Sequence, residues 1–449
     1  MTPLIRQTVI LGGGFTGLYT ALRLRRNHYP QSVILVDREE CFRFRPLLYE
    51  YFSEQMDKQQ VMPRFEELLH GSGVHFVQDT VTSVDLENRQ VHLQTGTVCP
   101  YSNLVLAVGS VTGYFGVEGA QENAIAFRDG GDAIALDQRL RKCLHQAIQS
   151  DDPTQRRQLL TFVVIGGGPT GVELVATLAD LVPNWYRELG GDPQEVRVVL
   201  LSRGAEILRG DINDPLRGTA EQELQQRAVA VEILKEATAT AIRPDAIEYQ
   251  QDENTTTIPT RTAIWTAGTA THPLIKNLPI ADEHRDRKGR LMVTPTLQLF
   301  DYPEVFAGGD CAAVEGEALP PTAQVAHQQG MAIAKNLQAL NEGRDLQAVD
   351  INLRGTLMKL GLEDAAANIY NQVEVDGEIA HLIRQGTYMS LLPNPIHNLQ
   401  VGLKWFNDEV IDRYLEPQNP GTVVKWAAGA LVAAAVARKV VHTLGRDEK

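Results

Sequence analysis

Two glycine-rich segments of nearly the same sequence constrain the fold of this chain more than any other feature. The first reads TVILGGGFTG from Thr8 to Gly17, and the second reads FVVIGGGPTG from Phe162 to Gly171. Each follows a short run of Val, Ile and Leu, which is typical of a buried parallel strand, and each begins an Ala- and Leu-rich segment, which is typical of a helix. The repeat predicts an α/β protein with two doubly wound, Rossmann-type domains.

Both segments have the spacing G-x-G-x-x-G of a dinucleotide-binding turn. The first glycine permits a tight turn, the second lets the backbone approach a pyrophosphate, and the third lets the helix pack closely on the strand. The phosphates then lie at the helix N-terminus. The glycines concerned are Gly12, Gly14 and Gly17 in the first segment and Gly166, Gly168 and Gly171 in the second.

The next strand of each repeat ends in a different residue type. In the first repeat Asp37 closes the run SVILVD, where a carboxylate accepts hydrogen bonds from ribose hydroxyls, which suits FAD and NAD equally. In the second, VRVVLLS ends in Ser202, followed by Arg203. A serine with an adjacent guanidinium favours the 2′-phosphate of NADPH, so NADPH is expected to be preferred, with NADH as an alternative. It remains open whether Arg203 points to solvent and Ser202 only relaxes the selectivity.

The order of segments predicts that the second nucleotide domain is inserted in the first. A polar stretch at 149–158 marks a connection, and an extended region from Gly289 to Asp310 brings the chain back to the first domain. The expected division is a first domain at 1–150, an inserted domain at 151–288, a return to the first domain at 289–385 and a C-terminal segment at 386–449.

Composition narrows the class of function. A chain of 449 residues suggests two or three domains, and a net charge of -14 argues against a nucleic-acid partner. No secretory signal is evident, so a reducing compartment is expected. No two cysteines are close enough in sequence to form a redox or metal-binding pair, so no metal site is expected. The four are Cys41, Cys99, Cys143 and Cys311.

Three further segments resemble the two-dinucleotide flavoprotein superfamily. LVLAVG, ending at Gly109, resembles the Ala-Thr-Gly turn that leaves the first nucleotide domain, with Val108 in place of the usual Thr. VFAGGD, ending at Asp310, resembles the Gly-Asp motif beside the flavin, and TAIWTAG, ending at Gly268, resembles the closing turn of the nicotinamide domain. The resemblance implies FAD in the first site and NAD(P)H in the second. It also implies that Asp310 bonds the ribityl side of FAD and that Gly268 approaches a cofactor.

The run AQVAHQQG at 323–330, with PLLYE at 46–50 and GGGPTGVE at 166–173, resembles the type II NAD(P)H:quinone oxidoreductases. The similarity spans roughly residues 8 to 410 and is greatest to the cyanobacterial and plastid branch, which includes NADPH-dependent demethylphylloquinone reductases. It implies a non-proton-pumping enzyme in which hydride passes from NADPH to FAD. Two electrons then pass to a membrane quinone, demethylphylloquinone or another naphthoquinone.

The same resemblance implies catalytic roles for three residues. Gln324 and Gln328 would line the quinone side of the flavin, where an amide can hydrogen-bond a carbonyl without adding charge. Glu173 would lie near the nicotinamide and the flavin. The alternative for the two glutamines is that they only hydrogen-bond water. The alternative for Glu173 is a carboxylate at a helix start, where the helix dipole favours it. For His327, a structural role is preferred over proton delivery.

The C-terminal end predicts contact with a membrane surface. The uncharged stretch at 426–437 is twelve residues long, shorter than the ~20 that a membrane span needs. The stretch starts with a tryptophan and has basic residues on both sides. Residues 421–449 contain five basic and two acidic residues in an otherwise acidic chain. A helix lying on the cytoplasmic face of a membrane is expected, the thylakoid or plasma membrane if the source is cyanobacterial. A helix packed on the protein body or on a second subunit, as in a homodimer, remains open.

The sequence leaves two other functions open. One is a flavin-dependent reductase of a protein electron carrier, against which the hydrophobic tail argues. The other is a flavin redox sensor with slow turnover, which steady-state kinetics would distinguish.

Overall fold

The computed structural model describes residues 6–390 except 54, 211, 354, 363 and 370–372. The predicted membrane-surface segment therefore lies outside the described residues from position 391 onward. The chain forms two compact units. The first comprises residues up to 44, 62–113 and 268–353, and the second comprises 45–61, 114–267 and the described residues after 353.

The strands of the described residues are short. In chain order they are β1 (Gln7–Leu11), β2 (Ser32–Asp37), β3 (His75–Gln78), β4 (Val81–Asp85), β5 (Gln90–Leu93), β6 (Val98–Pro100), β7 (Asn103–Leu106), β8 (Ser110–Thr112), β9 (Ala124–Ala126), β10 (Thr161–Ile165), β11 (Arg197–Leu201), β12 (Glu232–Leu234), β13 (Ala237–Ile242), β14 (Ala246–Gln251), β15 (Asn254–Pro259), β16 (Thr262–Trp265), β17 (Thr269–Thr271), β18 (Leu291–Val293), β19 (Val305–Ala307), β20 (Ala312–Val314), β21 (Gly355–Lys359), β22 (Ala365–Ile369) and β23 (Val373–Asp376).

The α-helices range from single turns to several turns. In chain order they are α1 (Phe15–Arg26), α2 (Leu48–Phe52), α3 (Lys58–Val61), α4 (Phe65–Leu69), α5 (Ala120–Asn123), α6 (Gly130–Gln149), α7 (Pro153–Leu159), α8 (Pro169–Glu188), α9 (Asp214–Gln225), α10 (Pro273–Lys276), α11 (Ala323–Asn341) and α12 (Gly377–Ser390). None of the helices in this described part is long and apolar enough to cross a membrane.

The first unit contains a five-stranded parallel sheet with the order β19-β7-β1-β2-β3. Strand β7 is buried along its whole length, as expected for apolar strands covered on both faces. Helix α1 packs against α11, and Thr16 and Thr20 on α1 donate side-chain hydrogen bonds to the Ala326 and Gly330 carbonyls on α11. These contacts bring α11 to the helix that starts at the first glycine turn.

The second unit contains a five-stranded parallel sheet with the order β12-β11-β10-β16-β9. Two three-stranded antiparallel sheets, β13-β14-β15 and β21-β22-β23, belong to the same unit. The predicted fold class, α/β with two doubly wound Rossmann-type domains, is confirmed. Along the chain the compact units change at 44/45, 61/62, 113/114, 267/268 and 353/354. Residues 114–150 lie in the second unit, where β9 pairs with β16.

Candidate active site

The glycine turn of the first unit follows β1 and opens α1. Gly12 has φ +97°, and a side chain there would collide with the carbonyl of Ala107. A side chain at Gly17 would collide with the Gly12 carbonyl, whereas a Cβ on Gly14 would meet nothing within 4 Å. The first and third glycines are therefore required by packing, and the second keeps one side of the turn open.

The glycine turn of the second unit repeats this arrangement between β10 and α8. Gly166 has φ +125°, and a side chain there would collide with Ala267. A side chain at Gly171 would collide with the Gly166 carbonyl, and Gly168 again faces open space. The two turns thus have the same division between packed and open glycines.

The helices that follow these turns start without a side-chain cap. Gly14 is the N-cap of α1 and Gly168 that of α8, and no side-chain cap is made at either position within the described part of the chain. Helices α6, α9 and α11, in contrast, are capped by the side chains of Asp129, Asn213 and Thr322. An uncapped first turn presents backbone N–H groups, which is the arrangement that binds a phosphate.

Asp37 ends β2 beside the first glycine turn. Its Oδ2 accepts the backbone N–H of Gly13 at 2.6 Å, and its Oδ1 accepts that of Glu39 at 2.9 Å. Each carboxylate oxygen still has lone-pair capacity for a ribose hydroxyl. The first unit therefore places a fixed carboxylate next to an open, glycine-lined helix start.

Ser202 occupies the corresponding place in the second unit. In the first sheet Leu11 pairs with Val36, the residue before Asp37, and in the second sheet Ile165 pairs with Leu201, the residue before Ser202. The Ser202 side chain is 4% exposed and lies against Gly167. The site that holds a carboxylate in the first unit thus holds a small neutral hydroxyl in the second.

The loop after Ser202 contains a cation that sequence reasoning did not single out. Leu208 has φ +56° and donates its backbone N–H to the Gly167 carbonyl at 2.7 Å, which brings the loop onto the glycine turn. The next residue is Arg209, which is exposed, as is Arg203. Glu206 of the same loop forms an ion pair with Arg217 at 3.2 Å. A second arginine six positions after Arg203 was the available sequence signal.

Asp310 lies at the turn after β19, close to the exit of β7. Ser110 donates a hydrogen bond to Asp310 Oδ2 at 2.8 Å, and Gln329 Oε1 accepts the backbone N–H of Gly309 at 2.6 Å. Gly109 has φ +67° and open space around it. Gln329 and Ser110 thus hold the Gly-Asp turn in place. The sequence motifs identified Gly109 and Asp310 but not these two residues.

The two predicted quinone-side glutamines lie in the first turns of α11. Gln328 Nε2 donates to the carbonyls of Gln324 and Asn352 at 3.3 and 3.0 Å, and its Oε1 accepts the backbone N–H of Asn352 at 2.9 Å. Both amide hydrogens of Gln328 are therefore used within the chain, and Oε1 keeps acceptor capacity. His327 packs edge-on against Tyr19, with 4.4 Å between ring centroids.

Glu173 lies in the first turns of α8, just after the second glycine turn. Its Oε1 accepts the backbone N–H of Lys359 at 2.9 Å, and its side chain is 13% exposed. Burial raises the pKa of Glu173 above its ordinary value, an effect that Arg384 and the Lys359 N–H offset only in part. Gly268, the remaining predicted cofactor contact, lies in the first unit with φ +139°, and its carbonyl accepts the Gly113 N–H at 3.1 Å.

The first-unit residues fit a flavin dinucleotide, since an uncapped helix start, an open glycine and a fixed carboxylate are the groups that a pyrophosphate and a ribose require. The residues that would hold it are the glycine turn, Asp37 and the Gly109–Asp310 region. The second-unit residues fit a nicotinamide dinucleotide through the uncapped start of α8 and the open Gly168, with the Ser202 hydroxyl in place of the carboxylate.

The chain is similar to known proteins along most of its length. The family model of the pyridine nucleotide-disulphide oxidoreductases matches residues 6–330. The chain is 35% identical to the demethylphylloquinone reductase NdbB of Synechocystis sp., over 90% of this chain and 96% of that protein. It is 32% identical to the type II NADH:quinone oxidoreductase Ndh of Mycobacterium tuberculosis, over 85% of this chain and 83% of that protein.

The fold has counterparts among solved structures. The structure of NDH2 from Plasmodium falciparum in complex with NADH superposes with a TM-score of 0.80 at 17% identity, covering 92% of this chain and 99% of that one. The chain belongs to the pyridine nucleotide-disulphide oxidoreductases and, within them, to the type II NAD(P)H:quinone oxidoreductases, flavin enzymes that use a nicotinamide nucleotide.

Proposed function

We propose that this oxidoreductase prefers NADPH over NADH and reduces a membrane naphthoquinone of the demethylphylloquinone type. The observation that carries the nucleotide preference is Ser202 at the strand end, where the first unit has Asp37. A carboxylate at this point would repel a 2′-phosphate, whereas a neutral hydroxyl tolerates it.

Two arginines supply the positive charge that a 2′-phosphate requires. Arg203 and Arg209 flank a loop that Leu208 holds against the glycine turn. The one acidic side chain between them, Glu206, is paired with Arg217. Guanidinium groups bind phosphate with paired hydrogen bonds, so the loop favours the phosphorylated nucleotide.

An engineered protein with the same fold offers a parallel. It is a water-forming NADPH oxidase with a TM-score of 0.63 and 18% identity to this chain. In that variant an aspartate is replaced by alanine, the next residue becomes arginine, and a second arginine is introduced six positions further on. Ser202, Arg203 and Arg209 have this same order and spacing.

The overall reaction conserves electrons and protons: NADPH, a proton and a quinone yield NADP⁺ and a quinol. A flavin dinucleotide held in the first unit would supply the hydride-accepting, two-electron chemistry of this reaction. Asp37 and Asp310 would orient that cofactor through its hydroxyls. Glu173 would exchange the proton that the hydride does not supply, since its side chain is 13% exposed and burial raises its pKa.

The quinone class rests on the relatives, which include a demethylphylloquinone reductase and quinone oxidoreductases. Gln324 and Gln328 would lie on the quinone side of the flavin. The Gln328 amide would hold the chain at Asn352 through its two hydrogen bonds to the Asn352 backbone. The C-terminal segment would attach the protein to the membrane that contains the quinone, and a homodimer is proposed as an alternative use of that segment.

The direct test compares kcat/KM for NADPH and NADH in the flavin-loaded enzyme, with a water-soluble naphthoquinone as acceptor. We expect quinone-dependent turnover with a clear preference for NADPH. A preference for NADH would refute the nucleotide assignment. Flavin reduction without quinone turnover would instead point to a protein acceptor or a redox sensor.

A further inference from the structure

A buried cluster of ionisable side chains lies behind Glu173 in the second unit. Its members come from four elements: Glu50 from α2, Glu173 from α8, Lys359 from β21 and Arg384 from α12. The side chains of Glu50 and Lys359 are fully buried, that of Arg384 is 1% exposed, and that of Glu173 is 13% exposed. Glu173 is therefore the outermost carboxylate of the group.

The two carboxylates share the two cations unequally. Glu50 Oε1 contacts Arg384 Nη1 directly and lies 3.4 Å from Lys359 Nζ. Glu173 Oε1 lies 3.9 Å from Arg384 Nη2, and it accepts the backbone N–H, not the ammonium group, of Lys359. Both cations are thus directed towards Glu50.

Other hydrogen bonds also hold the two cations on the Glu50 side. Arg384 Nη2 donates to the Pro46 carbonyl at 2.6 Å, and Lys359 Nζ donates to Gln55 Oε1 at 2.7 Å. Each cation is therefore held on the Glu50 side by a neutral oxygen as well as by the carboxylate. Buried charges are stable only when they are paired. Removing Glu50 would leave both buried cations without their carboxylate partner, so that they would interact with another anion.

We propose that Glu50 is a positioning residue for Glu173: it binds Arg384 and Lys359, and so directs both cations to itself and not to the Glu173 carboxyl. The inference deepens the proposed function, because it rests on Glu173 exchanging a proton during quinone reduction. Glu50 itself touches neither substrate nor cofactor in this account.

The electrostatics of the two carboxyls agree with this geometry. Burial alone would raise the pKa of Glu50, but Arg384 and Lys359 outweigh it and lower the pKa to about 2. Burial also raises the pKa of Glu173, and there the cations do not outweigh it. Neighbouring carboxyls whose pKa values are driven apart are typical of acid–base sites.

The other titratable groups of the cluster do not change this balance. Burial and the charge of Lys359 lower the pKa of His381 to about 3, so its ring is neutral, and burial raises the pKa of Tyr388 to about 12. The Tyr49 hydroxyl is a neutral hydrogen-bond partner of Glu173. The titratable and charged groups that act on Glu173 are Tyr49 and Glu50 on α2, Lys359 on β21, and Arg384 and Tyr388 on α12. His381 on α12 acts on Glu50, Lys359 and Arg384.

The test measures the titration of Glu173 by infrared spectroscopy of the holoenzyme. The carboxylic C=O band of Glu173 is identified by its loss in Glu173→Gln. In Glu50→Gln we expect the midpoint of this band to move to lower pH by about 1 to 3 units, because an opposite charge within a few ångströms lowers a carboxyl pKa by that much. The basic limb of the kcat–pH profile should move with it.

Matched variants distinguish positioning from simple destabilisation. Glu50→Asp keeps the charge and should keep the midpoint near that of the wild type. Lys359→Met removes a cation and should move the midpoint upward, and the double variant Glu50→Gln/Lys359→Met should bring it back towards the wild type. A structural defect would lower kcat at every pH without this alternation in sign.

An unchanged midpoint in Glu50→Gln would overturn the inference. If Glu50→Gln does not fold, the midpoint is measured in Lys359→Met instead. A midpoint that does not rise in Lys359→Met would also overturn the inference. A wild-type band that titrates like an exposed glutamate would also overturn it, even if the enzyme reduces quinone normally. The expected shifts in an enzyme that fails to reduce quinone would instead leave the positioning intact and refute the proposed function.

Discussion

Arg203 and Arg209 are expected to act as a pair on the nucleotide. Replacing either with alanine removes one charge-assisted contact to a 2′-phosphate, worth about 1.5–3 kcal/mol. We therefore predict that kcat/KM for NADPH falls about tenfold to a hundredfold in each variant, with little change for NADH. Arg187→Ala, an exposed arginine in the last turn of α8, is the control. Equal losses with both nucleotides would contradict a role at the 2′-phosphate.

His381 should make the folded state sensitive to mild acid. Its pKa is lowered to about 3 by burial and by Lys359, from an ordinary value of 6.5. Between these values the unfolded chain binds a proton that the folded chain does not, so stability falls as pH falls. The expected loss from this residue is about 2 kcal/mol between pH 6.5 and 5.

Urea denaturation at several pH values checks this expectation. His381→Gln should show a flatter dependence of unfolding free energy on pH over that interval. Glu50, whose pKa is lowered to about 2, stabilises the fold above its unfolded-state pKa, and this contribution is lost only as pH falls towards 2. An identical slope in His381→Gln and the wild type would show that the imidazole is accessible to protons.

At the scale of elements, different glycines of each strand–turn–helix unit serve packing and cofactor binding. Gly17 and Gly171 face backbone, so alanine there should destabilise the protein by about 1–3 kcal/mol through overpacking. Gly14 and Gly168 face open space, so alanine should leave the apoprotein stable but obstruct the approach of a pyrophosphate.

Thermal unfolding of the apoproteins and equilibrium dialysis with FAD and NADPH measure the two effects separately. Gly14→Ala should weaken FAD, and Gly168→Ala should weaken NADPH, each with an unchanged melting temperature. Reduced melting temperatures in these two variants, with normal affinities, would mean that the second glycine serves packing.

How much the sequence predicts depends on the range of the interactions. The glycine turns, Asp37 and Ser202 were predictable because each lies within one strand–turn–helix repeat. Arg209 is visible in the sequence as a second arginine, but its placement beside the glycine turn was not predictable, because it depends on the φ +56° backbone of Leu208. The buried ion cluster was not predictable either, since its partners are separated by 309 and 334 residues and a charged residue gives no sign of burial.

At the scale of the whole molecule, the C-terminal segment is expected to decide where the enzyme works. Truncation after Gly421 should release the protein from anionic liposomes while sparing reduction of a short-chain quinone in solution, because the nucleotide sites lie upstream. Co-sedimentation with liposomes, with flavin absorbance as the control for folding, measures this. A truncated enzyme that still co-sediments would show that another surface binds the membrane.

We infer that a strand-end serine and two arginines make this quinone oxidoreductase select NADPH. The deciding quantity is the ratio of kcat/KM for NADPH to that for NADH, with a soluble naphthoquinone, in the wild type and in Ser202→Glu/Arg203→Ala/Arg209→Ala. We predict a ratio well above one in the wild type and below one in the variant, with flavin content unchanged. An equal ratio in both enzymes would contradict the account, because the nucleotide would then be selected elsewhere.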